Sequence, residues 1–138
     1  MQTLEQLINT FEVDTDEHLD RDALVPVNSG LQRQGDVIVI PTSEVAVVGN
    51  KVVPVPGAGI PVVRGENGGN THLLLAMGEV NYLPIEDTST LNVGVFVVTE
   101  GAVAYLAHPE HGYMGIAPGT YTVRRQREQA DEIRQVAD

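Results

Sequence analysis

Between Val25 and Val123 the chain is written in short runs of β-branched residues broken every ten or so positions by Gly, Pro or Asn. "DVIVIP" from Asp36, "EVAVV" from Glu44, "KVVPV" from Lys51, "IPVV" from Ile60, "VGVFVVT" from Val93 and "AVAYLA" from Ala102 are short runs whose punctuation suits tight turns rather than long helices. This spacing predicts a mainly β fold, an antiparallel sandwich or barrel, with jelly-roll and cupin-like forms included. Gly49-Asn50 and Glu100-Gly101 each lie between two such runs and read as two-residue hairpin turns. Pro54, Pro56 and Pro61 cannot donate ladder hydrogen bonds, which assigns their segments to sheet edges or loops.

The pattern changes at both ends. Leu4, Leu7, Ile8 and Phe11 fall on one stripe of a helix, with Thr3 in the N-cap position. The stripe needs a partner surface, either the β-body or another chain. After "TYTV", the run "RRQREQADEIRQVAD" holds neither Gly nor Pro, and Ala130, Ile133 and Ala137 are spaced as in a helix. The expected organisation is a single domain made of a helical acidic arm (1–24), a β-body (25–123) and a C-terminal helix (124–138). A chain of 138 residues buries a core without metal or disulfide staples, so any metal here would serve function rather than folding.

Charge and composition remove several function classes. The net charge of -11 repels phosphate backbones and no basic stripe is present, which argues against direct nucleic-acid binding. Residues 1–24 carry seven acids against Arg21 alone, whereas residues 124–138 balance four arginines with four acids. There is no cysteine, so disulfides, thiolate metal sites and cysteine nucleophiles are excluded. No apolar run is long enough to cross a bilayer as a helix, and Met1 is not followed by a basic start and an apolar stretch. The expectation is a soluble intracellular protein. No phosphate-cradling glycine motif and no nucleophile-elbow sequence occurs, so an enzyme is the less favoured class.

Four stretches stand out together: Gln34-Gly35-Asp36-Val37, "GENGGNTH" from Gly65 to His72, His108-Pro109-Glu110-His111, and Pro118, Gly119, Tyr121, Val123, Arg125, Gln126, Arg127 and Glu128. They resemble a family of small bacterial and phage-borne proteins of unknown function with the motifs QGDV, GExxGHxH, HxEH and PxGxYxVxRQRE, over roughly residues 32–138. The first histidine of the HxH pair is Asn70 in this chain. If the pattern builds a cupin-like metal site, His72, His108 and His111 remain as ligands for zinc or iron, with Glu110 or Glu66 as a carboxylate. His108 and His111 also flank a Pro-Glu pair, which is ordinary β-turn chemistry.

Two function classes stay open at this point. One is a non-catalytic, cofactor-free β-domain acting through protein-protein contact or self-assembly, with Leu4, Leu7, Ile8 and Phe11 as the partner-binding stripe. A phage particle accessory or decoration protein is one form of it. The other is a cupin-like metal-binding protein or enzyme using His72, His108 and His111. The break at Asn70 places the contact reading first.

Overall fold

In the computed structural model, residues 1–43, 52–64, 71–85 and 90–126 are described. Thirteen strands and one helix alternate along them: β1 (Gln2–Thr3), α1 (Leu4–Phe11), β2 (Leu24–Val25), β3 (Val27–Asn28), β4 (Gln32–Gln34), β5 (Val37–Pro41), β6 (Val53–Pro54), β7 (Ile60–Val63), β8 (His72–Met77), β9 (Val80–Pro84), β10 (Asn92–Val98), β11 (Val103–His108), β12 (Gly112–Ile116) and β13 (Gly119–Arg125). A six-stranded sheet runs β4-β5-β13-β10-β9-β6 and a five-stranded sheet runs β3-β12-β11-β8-β7. All pairings are antiparallel except the short β3–β12 contact. Among the described residues both sheets are open, so the architecture is a sandwich and not a closed barrel.

Alternation within the strands places the core. Val37 and Val39 of β5, Tyr82 of β9, Phe96 and Val98 of β10, and Tyr121 and Val123 of β13 face Leu74 of β8, Ala104 and Leu106 of β11 and Ile116 of β12. The intervening residues of the five-stranded sheet, Leu75, Tyr105, Ala107 and Tyr113, form a second cluster on its other face, and Leu4, Leu7 and Ile8 of α1 cover them. This double burial is why "AVAYLA" is apolar without interruption.

The helix is short and well defined. Thr3 Oγ1 accepts from the Gln6 amide while Gln6 Oε1 accepts from the Thr3 amide, a capping box. It ends at Glu12, whose φ of 60° turns the chain left-handed. The acidic residues that follow are therefore not a continuation of the helix. They return as a loop anchored by the Asp16 amide on Pro109 O (2.7 Å), by Arg21 on Asp14 (3.0 Å) and by Tyr113 Oη on Val13 O (2.7 Å).

Two further expectations are corrected. Glu100-Gly101 is a turn, but β10 pairs with β9 and β13 while β11 pairs with β8 and β12, so the turn carries the chain from one sheet to the other instead of closing a hairpin. Arg124 and Arg125 are the last residues of β13, paired with Ile38 and Val37, so the helix assigned from residue 124 does not begin there. Residues 127–138, the "EVAVV" run and Gly49-Asn50 lie outside the described residues. Pro54 and Pro61 do sit on edge strands, β6 and β7.

Candidate functional site

One end of the sandwich gathers the histidines. Ala107 pairs with Leu73, so the next residues along this register, His108 on β11 and His72 on β8, are cross-strand neighbours on the inward face. Both are buried, at 4% and 3% exposure, and their ring centroids are 4.4 Å apart. His111 stands in the three-residue loop between β11 and β12, exposed, with its ring 4.6 Å from that of His108 and 6.5 Å from that of His72. The structure thus brings His72, His108 and His111 together, although only His111 is a surface turn residue.

The β4–β5 hairpin closes the cluster from the other sheet. Its turn is Gly35-Asp36, with Gly35 at φ +59°, the pattern of a II′ turn with glycine first. A Cβ on Gly35 would lie 2.9 Å from His111 Nε2 and 3.6 Å from His72 Cε1, so the glycine lets the turn approach both rings. Gln34, buried before the turn, sends Nε2 across the sandwich to the carbonyls of Leu106 (2.9 Å) and Gly112 (3.2 Å). Its Oε1 meets His72 Nδ1 at 2.9 Å.

These bonds assign the protons. Gln34 Nε2 faces two backbone acceptors, so the amide cannot be reversed without placing its oxygen against two others. Oε1 is then the acceptor and His72 donates through Nδ1–H. The neutral ring carries its lone pair on Nε2, which lies 3.3 Å from Asp36 Oδ1. Burial, with His108 disfavouring a positive charge beside it, pushes the His72 pKa down to about 4 even though Asp36 pulls it up. At neutral pH a lone pair therefore faces a carboxylate oxygen, an arrangement that calls for a proton or a cation between them.

His108 is bound differently. Its Nδ1 accepts the backbone amides of Glu110 (3.1 Å) and His111 (3.3 Å), as an Asx side chain does in a turn. The imidazole holds the hairpin loop in shape. Gln34 and Asp36 stood in the quoted QGDV motif but carried no assigned role in the sequence reading, while Glu66 and Asn70 lie outside the described residues. Beyond the hairpin, His111 also forms part of the wall of an open pocket of about 200 Å³ shared with Leu4, Leu19, Pro26 and Tyr113.

The N-terminal stripe is placed elsewhere. Leu4, Leu7 and Ile8 are buried on the protein's own sheet, and Phe11 packs against Tyr105 (5.9 Å between centroids) and Tyr113 (6.4 Å). The β-body itself thus meets the need for a partner surface. Among the described residues no helix is long and apolar enough to cross a membrane.

Neither a curated protein nor a solved structure gives a match to this chain. A family does: over residues 33–126, a span that includes Gln34, Asp36, His72, His108 and His111, the chain belongs to the family described as Domain of unknown function (DUF8820).

Proposed function

We propose that this protein is a non-catalytic binding domain that takes up one divalent metal ion at the histidine end of its sandwich. The observation that carries the reading is the pair His72 Nε2 and Asp36 Oδ1, 3.3 Å apart, with Gln34 Oε1 2.9 Å from His72 Nδ1 on the far side of the ring. Two donors separated by one edge of a tetrahedron of about 2.0–2.1 Å metal bonds lie about 3.3–3.4 Å apart, so the pair already has the bite of a zinc-like ion. A second-shell amide that fixes the tautomer of a ligating histidine is a recurring feature of such sites. The cupin-like alternative of the sequence reading is thereby favoured over assembly through Leu4, Leu7, Ile8 and Phe11, because that stripe is already covered.

The test is a titration of untagged, chelator-stripped protein with Zn²⁺, Fe²⁺ and Mn²⁺, followed by calorimetry and elemental analysis. One ion per chain and a melting temperature that rises with ion concentration are expected. Sub-stoichiometric binding of every ion, with no shift in melting temperature, would overturn the proposal.

A further inference from the structure

We infer that the protein ligands of this site are His72 Nε2, the Asp36 carboxylate and His111, and that His108 is a positioning residue and not a ligand. The assignment rests on the metal-binding reading above and goes further, because it replaces one of the three histidines with a carboxylate from the opposite sheet.

His108 is removed from the ligand set by its own hydrogen bonds. Nδ1 accepts two backbone amides, so the neutral ring carries its proton on Nε2 and has no lone pair left there. Freeing Nε2 for a metal would place a proton on Nδ1, against two N–H donors, and would break the loop that presents His111. A neutral imidazole that caps a turn through one nitrogen is thus spoken for. Its ring packs between those of His72 and His111, 4.4 and 4.6 Å from them, and so spaces them.

His72 and Asp36 supply two donors at the right separation, one on a strand and one in a tight turn. His72 begins β8 and is fixed through Gln34, while Asp36 sits in a two-residue turn whose carbonyl also accepts the Gln126 amide at 2.8 Å. The third donor must come from a side chain able to move. Among the described residues no three histidine, aspartate or glutamate side chains converge on one point as they stand. His111 is exposed, its ring is within 10° of parallel to that of His72, and its Nε2 already lies against Gly35, the residue before Asp36. A side-chain rotation of His111 closes the set while its backbone stays tied to His108.

Two imidazoles and one carboxylate, with the remaining position open to water, suit borderline ions such as Zn²⁺, Co²⁺ or Fe²⁺ over Ca²⁺ and Mg²⁺, which require more oxygen donors. The probe is therefore Co²⁺, whose visible spectrum reports ligand number and type, alongside Zn²⁺ by calorimetry.

The variants are His72→Gln, Asp36→Asn, His111→Gln, His108→Ala and His108→Asn. Loss of an outer partner alone costs roughly 10–100-fold in affinity, so each of the first three should lose at least about 100-fold. His108→Ala should weaken binding by about 10-fold or more through the loosened loop, and His108→Asn, whose Oδ1 can accept the same two amides, should restore both affinity and the wild-type Co²⁺ spectrum. A folded His108→Asn protein that binds no better than His72→Gln would overturn the assignment and leave the metal-binding reading standing. Full affinity in Asp36→Asn would do the same. A wild-type protein that binds neither ion overturns both.

Discussion

Gln34 and His72, thirty-eight residues apart in sequence, are joined at 2.9 Å, and the same glutamine amide bonds the Leu106 and Gly112 carbonyls. One buried side chain thus ties the β4–β5 hairpin to three strands of the facing sheet. Replacing it with Leu keeps bulk but strands two carbonyls and an imidazole N–H. Each buried group left without a partner costs about 1–3 kcal/mol, so Gln34→Leu should lose several kcal/mol in denaturant unfolding. Urea curves coincident with wild type would show that this bridge is not a structural tie.

Gly35 carries a second prediction. Its φ of +59° disfavours any side chain, and an added Cβ would fall 2.9 Å from His111 Nε2. Gly35→Ala should cost roughly 1–2 kcal/mol from the backbone alone. It should also displace His111 and weaken ion binding, whereas the same substitution at Gly30, where a Cβ meets nothing within 4 Å, should leave binding intact. Equal effects at both glycines would argue against a tight turn at the site.

The N-terminal arm offers a direct test of where its stripe belongs. Leu7 has no exposed surface and sits over Leu75, Tyr105 and Tyr113. Leu7→Ala should cost about 2–5 kcal/mol, as buried Leu to Ala changes do. Deleting residues 1–24 should bare the outer face of the five-stranded sheet and give an aggregating or unfolded protein. A folded, soluble, monomeric body after that deletion would restore the idea that the arm serves another chain.

Much of the sandwich was legible because its signals are local. β-branched runs, turn residues and the edge prolines at 54 and 61 each act within a few residues, and the helix stripe with its Thr3 cap does likewise. Pairing is not local. Glu100-Gly101 has hairpin composition, yet Val98 pairs with Gly119 and Val80, while Val103 pairs with Met77, so the facing sheet decided what the turn connects. The arginines at 124 and 125 looked helical by composition and were recruited by β5. At the site, the histidines carried an obvious chemical label. Gln34 did not, because its contacts span 38, 72 and 78 residues, nor did Asp36, which meets His72 from the opposite sheet, and no spacing rule encodes such contacts. His108 is buried because it continues the strand of the apolar run "AVAYLA" onto the inward face.

The pH dependence of the metal-free protein follows from His72. Its pKa falls from 6.5 to about 4 on folding, chiefly through burial, with His108 and His111 opposing its charge and Asp36 favouring it. Between those values the unfolded chain binds a proton that the folded one refuses, so stability rises with pH across the window and is lost as pH falls through it. The contribution is complete above 6.5, declines toward about 4 with a limiting slope of about 1.4 kcal/mol per pH unit for one proton, and then levels off. Asp14, held below 3.8 by the Thr15 amide and Arg21, acts only at lower pH and does not share the window. Melting temperatures of the chelator-treated protein should therefore drop between pH 6.5 and 4, and His72→Gln should flatten that drop. An equally steep fall in the variant would move the responsible proton to another group.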